Sequence, residues 1–144
     1  MKTVKEILAE KGREVVTIHQ DETLQEALNL LVEAGIGALV VVDDDGAIAG
    51  IFSERDYIRT VVRKKSSALK LPVRDIMTSM VLYVRPEQSV DECMSLVTEK
   101  RCRHLPVLDD GSLGGLVSIG DLVKASISEK EFLIQQLTHY IKSG

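Results

Sequence analysis

The chain has 144 residues, enough for one ordinary domain or two very small ones, and 44% of them are apolar, which is enough for a sizeable core. Aromatic residues make up only 3%, so the core must be aliphatic, and a module that stacks nucleic-acid bases on aromatic rings is disfavoured. The net charge of −4 argues against general nucleic-acid binding. No apolar run approaches the ~20 residues that cross a bilayer, and the N-terminus lacks the apolar core of a signal peptide. We therefore expect a cytoplasmic protein.

The first half of the chain predicts a short helix followed by the elements β-α-β-β-α. Apolar residues recur at helical spacing in both helices of this unit, at Leu24, Ala27, Leu28, Leu31 and Val32 and again at Tyr57, Ile58, Val61 and Val62. The predicted elements are, in chain order, a helix at 3–11, a β run at 15–18, a helix opened by the capping box Thr23–Glu26, a β run at 39–42, an acidic hairpin turn at 43–46, a β run at 48–52 and a second helix.

The second half of the chain repeats this order. A shift of 66 positions aligns the β run at 15–18 with residues 81–84 and the acidic turn at 43–46 with residues 109–111, after which the shift becomes 65. One copy of ~50 residues is marginal alone, whereas two copies can bury their sheet faces against each other. We therefore predict an α/β (α+β) fold in which two β-α-β-β-α repeats pack with pseudo-two-fold symmetry.

The predicted boundaries follow from this repeat. The last helix carries an apolar stripe of Leu133, Leu137, Tyr140 and Ile141, which either packs onto the repeats or forms an oligomer contact. The predicted segments are residues 1–66 for the first repeat with the N-terminal helix, 67–79 for a linker with a short helix, 80–128 for the second repeat and 129–144 for a C-terminal helix.

A Ser-x-x-Asp motif at the junction of a β run and a helix is the best candidate for a binding site. Ser53 and Asp56 form it in the first copy, and Ser118 and Asp121 in the second. A helix N-terminus offers free N–H groups and a positive dipole end to a phosphate, and a nearby carboxylate can accept both hydroxyls of a ribose. The alternative is an ordinary capping box that helps each helix to start.

A cluster of potential cations precedes the central β run of the second copy. Arg101, Arg103 and His104 can neutralise a phosphate, or the arginines can complement a helix C-terminus. The first copy has the uncharged segment Gly35–Ala38 here, and Arg55 instead adds a cation to its Ser-x-x-Asp turn. We therefore expect the two candidate pockets to be unequal.

Catalytic and metal sites find little support in the sequence. His19, His104 and His139 are too scattered to predict a metal site, and no base stands near the motif serines at a spacing that suggests a catalytic triad. Cys93 is expected in the core, whereas Cys102 follows an arginine and precedes another, which could lower its thiol pKa and allow a redox role. We predict no catalytic residue, no metal site and no enzymatic activity.

These motifs together resemble a pair of CBS domains, a Bateman module. The resemblance rests on the turns at 50–56 and 115–121, the Arg-His-Leu-Pro-Val segment at 103–107 and the repeated element order, and it covers nearly the whole chain. It is strongest with small stand-alone bacterial CBS-pair proteins.

The resemblance implies a regulatory module that binds an adenine nucleotide in the cleft between its repeats and signals through its conformation or dimer state. AMP is the ligand expected first, with ADP, ATP, NAD(H) and S-adenosylmethionine as alternatives and no catalytic cofactor. It also implies a homodimer, a flat disc of four repeats, and leaves room for an unidentified protein target. The alternative is a non-enzymatic structural or interaction protein with vestigial pockets.

The resemblance further implies two ligand sites, in which the motif Asp holds the ribose and the motif Ser helps to hold phosphate. We expect the adenine to contact residues of the partner repeat. One site is expected to combine Ser53 and Asp56 with Val81, Leu82, Cys102, Arg103, His104 and Pro106. The other is expected to combine Ser118 and Asp121 with Val15, Val16, Ile36, Gly37 and Ala38, with Arg55 reaching the phosphate.

Overall fold

The computed structural model describes residues 2–143, with the side chains of all these residues except 64–67 and 139–143. The chain divides into two compact units, a first-repeat unit of Val15–Leu82 and a second-repeat unit that combines the chain up to Glu14 with the chain from Tyr83 onward. Both are mixed α/β structures, as the sequence predicts. The elements are, in chain order, α1 (Val4–Lys11), β1 (Thr17–His19), α2 (Leu24–Ala34), β2 (Ala38–Val42), β3 (Ile48–Ser53), α3 (Glu54–Lys64), 3-10 turns at Lys65–Lys70 and Val73–Asp75, α4 (Val90–Lys100), β4 (His104–Asp109), β5 (Ser112–Ser118) and α5 (Ile119–Ser143).

The first-repeat unit has a three-stranded sheet in the order β1-β2-β3, parallel between β1 and β2 and antiparallel between β2 and β3. α2 begins as predicted, because the Thr23 hydroxyl oxygen accepts the Glu26 N–H at 3.2 Å, and it ends at Gly35, whose φ of 64° is left-handed. The core is aliphatic apart from one aromatic ring and consists of Ile18, Leu24, Ala27, Leu31, Leu39, Val41, Phe52, Ala68 and Val73.

The segment predicted as a linker is a fixed part of the first-repeat unit. Ala68 and Val73 are 1% and 0% exposed and belong to its core. Thr78 then pairs with Ile51 of β3 through two backbone hydrogen bonds of 2.9 Å. This close approach requires glycine at position 50, because a Cβ there would lie 2.6 Å from the Thr78 carbonyl oxygen.

The second-repeat unit has an antiparallel pair, β4 and β5, joined by a turn in which Asp110 and Gly111 have φ values of 53° and 82°. The helix predicted at 129–144 is not a separate element but the end of α5, since no Gly or Pro lies between Gly120 and Ser143 to interrupt it. The core of this unit includes Val4, Ile7, Leu8, Val84, Val90, Cys93, Val97, Leu105, Val107, Val117, Leu122 and Ala125.

The β run predicted at 81–84 is reduced to its last residue, which pairs with β4 at a single parallel bridge. In the first repeat, the N–H groups of Val40 and Gln20 donate the hydrogen bonds that extend the β1–β2 pairing on either side of its centre. The equivalent positions, 66 residues further on, are Pro106 and Pro86. Proline has no N–H, so neither of these bonds can form and no strand develops here.

The N-terminal helix α1 packs in the second-repeat unit, although it precedes the first repeat in the sequence. Val4 and Leu8 of α1 are 0% and 2% exposed in the core of the second-repeat unit. Leu8 lies over Gly115, where a Cβ would come within 2.7 Å of its Cδ2 atom. The burial of this helix face is therefore provided by β5 and α5.

The repeated unit is longer than predicted and includes the segment before each first β run. Residues 4–8, Val-Lys-Glu-Ile-Leu, match residues 73–77, Val-Arg-Asp-Ile-Met, type for type. The backbone contacts match as well, since the Val4 N–H donates to the Gln88 carbonyl and the Val73 N–H to the Glu22 carbonyl, both acceptors being related by the shift of 66. We call residues 2–11 and 71–80 the leader segments.

Several predicted apolar stripes stay exposed in the units. Val32 of α2 is 81% exposed, and Ile58, Val61 and Val62 of α3 are 61%, 36% and 74% exposed, so helical spacing alone overestimated the buried face of both helices. On α5, Leu133 and Leu137 are 57% and 64% exposed, which disfavours the packed alternative for these two residues. The side chains of Tyr140 and Ile141 lie outside the described residues.

Candidate functional site

The turn between β5 and α5 brings four predicted site residues together. Ser118 ends β5 opposite His104, the first residue of β4, and the Ile119 N–H donates to the Arg103 carbonyl oxygen at 2.8 Å. Ser118 and Asp121 cap α5 reciprocally, because the Ser118 N–H donates to Asp121 Oδ2 at 2.9 Å and the Asp121 N–H donates to Ser118 Oγ at 3.1 Å. The reciprocal hydrogen bonds of a capping box are therefore present at this turn.

The Asp121 carboxylate also has a cationic partner, Lys11 at the end of α1. Lys11 Nζ lies 2.6 Å from Asp121 Oδ2 and 2.9 Å from the Leu116 carbonyl oxygen. Partial burial raises the pKa of Asp121, but the hydrogen bonds from Lys11 and Ser118 and the charge of Lys11 outweigh it, so this pKa lies below its usual 3.8. Asp121 is ionised at neutral pH, and its side chain remains 24% exposed.

A small pocket lies beside this ion pair, between α1 and α5. Its volume is about 100 Å³, well below the several hundred Å³ of a site that encloses a nucleotide-sized ligand. The pocket is therefore a polar depression next to the turn and not a complete ligand site. Its charged lining residues are Lys2, Glu10, Lys11, Asp121 and Lys124.

At the turn between β3 and α3, both carboxylate oxygens of Asp56 accept hydrogen bonds. Asp56 is only 4% exposed. Its Oδ2 accepts the Ser53 N–H at 2.9 Å and the Ser53 hydroxyl at 3.2 Å. Its Oδ1 accepts the Thr78 hydroxyl at 3.1 Å and lies 3.8 Å from Arg59 Nη1. Asp56 is thus an interior group that holds α3, β3 and a leader segment together.

Lys11 and Thr78 were not predicted from the sequence as partners of the motif carboxylates. Both residues lie on the leader segments, which were not recognised as repeated. The match between residues 4–8 and 73–77 is the sequence signal that could have predicted them. Two equivalent segments are expected to pack in equivalent places, one at each motif turn.

The other predicted site residues are distributed over both units. Gly37 and Ala38 lie beside the first turn, since the Glu54 N–H donates to the Gly37 carbonyl at 3.2 Å and Ala38 faces Ser53 across β2 and β3. Combining the motif Asp of one repeat with residues of the other stays a prediction. By exposure, Arg55 and Arg103 are exposed, Leu82 is 37% exposed, Val15, Val16, Ile36, Gly37, Val81, Cys102 and His104 are half-buried, and Ala38 and Pro106 are buried.

Neither cysteine has the properties of a redox thiol. Burial raises the pKa of Cys102, contrary to the lowering expected from Arg101 and Arg103. Burial, with a smaller contribution from Glu92, raises the pKa of Cys93 to about 11, and Cys93 is 0% exposed. Cys93 is a core residue, as predicted.

His19 belongs to a cluster that its sequence position did not suggest. Its Nε2 lies 2.6 Å from Asp44 Oδ1, and its Nδ1 accepts the Asp21 N–H at 3.1 Å. The Asp21 carboxylate pairs with Arg74. The imidazole and the two carboxylates have ligand atoms within 4.8 Å of one another, and such groups can bind divalent cations. Here they already interact with one another and with Arg74. We therefore interpret the cluster as a polar network that fixes the end of β1.

Within residues 2–143, none of the helices combines the length and the apolar character needed to cross a bilayer.

The family model of the CBS domain matches the chain twice, at residues 4–63 and 73–128. This chain belongs to the CBS-domain family and carries two of its repeats, which confirms the resemblance seen in the sequence. Both matches begin at the equivalent valines of the two leader segments, Val4 and Val73.

Named relatives support the same assignment. The CBS domain-containing protein CBSX3, mitochondrial, of Arabidopsis thaliana is 36% identical, with 99% of this chain and 73% of that protein covered. The structure of a putative signal-transduction protein with CBS domains from Burkholderia ambifaria MC40-6 is 52% identical, has a TM-score of 0.83 and covers 88% of this chain and 95% of its own. The CBS domain pair of protein MJ0100, solved in complex with 5′-methylthioadenosine and S-adenosyl-L-methionine, is 25% identical, has a TM-score of 0.75 and covers 86% and 98%.

Proposed function

We propose that this chain is a regulatory module that binds an adenosine-containing ligand and is not an enzyme. AMP is the ligand we expect first, with ADP, ATP, NAD(H) and S-adenosylmethionine as alternatives. The observation that carries the proposal is the β5–α5 turn, where an ionised and partly exposed carboxylate stands at the start of a helix next to the cationic segment that precedes β4.

The ribose and the phosphate of an adenosine nucleotide each have a matching group at this turn. The two ribose hydroxyls are hydrogen-bond donors, and the ionised carboxylate of Asp121 is a strong acceptor for them. The dipole of α5 favours a phosphate at the N-terminal end of the helix, and the exposed guanidinium of Arg103 adds a positive charge. The same groups offer no nucleophile and general base in a working pair, which supports binding without catalysis.

The relatives support a ligand of this class. The CBS pair of MJ0100 was solved with two adenosine-containing molecules and shares the fold of this chain over most of its length. The homodimer, an unidentified protein target and the cytoplasmic location expected from the sequence belong to the same proposal. The exposed apolar residues Leu133 and Leu137 of α5 support a contact with a second copy.

One observation favours the alternative, an interaction protein with vestigial pockets. Both motif aspartates already serve their own helices as caps, and Asp56 has no exposed surface to spare, at 4%. In that case the motif would be kept for folding alone, and assembly would be independent of any nucleotide.

Calorimetry on nucleotide-stripped protein tests the proposal, after mass spectrometry has shown what co-purifies. AMP, ADP, ATP, NAD, NADH and S-adenosylmethionine are titrated in turn, and we expect at least one Kd of order micromolar. The double variant Asp56→Asn/Asp121→Asn should lose this binding while it stays folded. Asp110→Asn is the matched control, because it removes one carboxylate at a left-handed residue where Asn is tolerated. Absence of heat from every ligand, with nothing co-purifying, would favour the interaction protein instead.

A further inference from the structure

The two motif aspartates receive their last partner from equivalent pieces of chain. Residues 71–80 bring Thr78 to Asp56, and residues 2–11 bring Lys11 to Asp121. Each leader segment also packs over the equivalent glycine of its unit, Gly50 or Gly115. The two turns therefore share one plan, but the partner that the leader segment supplies is a threonine at the first turn and a lysine at the second.

That partner decides which carboxylate oxygen remains accessible. At the first turn, Ser53 occupies Oδ2 and Thr78 occupies Oδ1, and the buried side chain of Asp56 is 4% exposed. At the second turn, the contacts from Ser118 and Lys11 both fall on Oδ2 of Asp121, whose side chain is 24% exposed. Oδ1 of Asp121 thus faces a different environment from Oδ1 of Asp56.

We propose that Lys11 is a positioning residue for ligand binding at Asp121, and that the second turn is consequently the main ligand site of the chain. The inference rests on the proposed function, because it assigns the adenosine ligand to one of the two turns. Lys11 holds the carboxylate by Oδ2 and directs Oδ1 outward, where it accepts the ligand's ribose hydroxyls. Thr78 instead closes the first turn.

The geometry of Lys11 supports a fixed position. Its ammonium is held by the Leu116 carbonyl as well as by Asp121, and its helix is anchored by the buried residues Val4 and Leu8. An ammonium held at two points restricts the carboxylate rotamer and keeps it charged. The charged groups that share the pocket with Asp121 are Lys2, Glu10, Lys11 and Lys124, of which Lys11 is the one in contact with the carboxylate.

Binding should therefore depend on Lys11 in a way that a purely structural residue would not. Lys11→Met removes the ammonium, so only the hydrogen bonds from Ser118 still offset the effect of burial, and the Asp121 pKa rises. We expect AMP affinity to fall about tenfold at pH 7, as for the loss of one group that orients a charged hydrogen bond. We also expect the remaining affinity to decline on acidification at a higher pH than in the wild type.

Two further variants separate positioning from folding. Lys11→Arg keeps a cation at this place and should restore affinity to within about threefold of the wild type. Lys5→Met removes a lysine from the exposed face of the same helix and should leave both affinity and pH profile unchanged. Thermal unfolding of each variant shows whether α1 stays docked.

The closing experiment is calorimetric titration of AMP into the wild type and these three variants between about pH 4.5 and pH 7.5. Weaker binding by folded Lys11→Met, with an upward shift of its pH profile and rescue by Lys11→Arg, would support the inference. A Lys11→Met variant that binds AMP with the affinity and pH profile of the wild type would overturn the inference but not the proposed function. A wild-type protein that binds none of the six ligands would overturn the proposed function itself, and the inference with it.

Discussion

Leu8 occupies the space that a side chain at Gly115 would need. A Cβ at position 115 would lie 2.7 Å from Leu8 Cδ2 and 2.9 Å from Cδ1, both closer than real Cβ contacts. The single leucine of the N-terminal helix α1 can therefore pack directly on β5. Glycine at this position of the motif serves packing of a leader segment, in addition to any role next to a ligand.

Substitution of Gly115 by Ala should destabilise the second-repeat unit through this contact. We expect a loss of about 1–3 kcal/mol, typical of overpacking, measured by urea unfolding. Leu8→Ala creates a cavity and is destabilising alone, but in its background the cost of Gly115→Ala should largely disappear. Gly120→Ala is the control, because its Cβ would meet nothing closer than Ser118 Oγ at 3.6 Å. Equal costs of Gly115→Ala with and without Leu8 would show that the contact is not the cause.

The equivalent substitution in the first repeat should not be rescued in this way. A Cβ at Gly50 would lie 2.6 Å from the backbone oxygen of Thr78, in addition to 2.7 Å from Met77 Sδ. A methionine side chain can move, whereas a carbonyl oxygen within a backbone hydrogen bond cannot move without breaking that bond. We expect Gly50→Ala to remain destabilising in a Met77→Ala background, again by urea unfolding. Full rescue would contradict this account of residues 71–80.

The Lys11–Asp121 ion pair should make stability depend on pH. The pKa of Asp121 is lowered in the folded state, so its contribution is complete above the unfolded value of about 3.8 and is lost as the pH falls through the folded value. Both side chains are partly exposed, at 38% and 24%, which limits the contribution to about 0.5–1 kcal/mol. Unfolding of Lys11→Met and wild-type protein at pH 7 and pH 3 should show a difference that shrinks at the lower pH. A difference independent of pH would indicate lost packing of the lysine stem.

The sequence was sufficient for most of the fold because its signals are local. The hydroxyl caps of α2 and α4, at Thr23 and Ser89, and the acidic turns act over a few residues, and all of them form. The prediction of a strand at 81–84 was wrong, and the reason is also visible in the sequence. Pro86 and Pro106 remove donors whose importance becomes visible only when the two repeats are compared bond by bond.

The candidate site was less predictable because its decisive contacts span long stretches of chain. Lys11 and Asp121 are separated by 110 positions, and periodicity and spacing carry no information about such a pair. The exposure of Val32, Ile58 and Val62 likewise depends on tertiary packing. An apolar stripe shows which residues share a helix face but not which element packs against that face. The missed match between residues 4–8 and 73–77 would have predicted the leader segments, but not the difference between Thr78 and Lys11.

The two thiols should be unreactive at neutral pH, but to different degrees. Burial raises both pKa values, that of Cys93 to about 11, so little thiolate is present at pH 7. We expect iodoacetamide to modify half-buried Cys102 slowly, faster as the pH rises above 9, and to modify Cys93 only after unfolding. Peptide mass spectrometry distinguishes the two sites. Rapid alkylation of Cys102 at pH 7 would revive the redox role that burial argues against.

The C-terminal part of α5 should be dispensable for folding and needed for assembly. The last buried residue of this helix is Ala125, among the side chains that the structure describes, whereas Phe132, Leu133, Ile134 and Leu137 are at least 57% exposed. A chain truncated after Ser128 should lose only the circular-dichroism signal of the removed part of α5 and run as a smaller species in light-scattering chromatography. Leu133→Ser/Leu137→Ser is a milder test, with Lys130→Ser as its exposed control. An unchanged oligomeric state in all three would place any dimer contact elsewhere.

The measurement that tests the central claim most directly pairs a ligand change with a protein change. AMP and 2′,3′-dideoxy-AMP are titrated into the wild type and into Asp121→Asn, so that ribose hydroxyls and carboxylate are removed separately and together. If Asp121 holds the ribose, the wild type should prefer AMP by about tenfold to a hundredfold, the effect of losing hydrogen bonds to a charged group, and this preference should vanish in Asp121→Asn. The same preference in both proteins would show that the ribose is held elsewhere and would contradict the account.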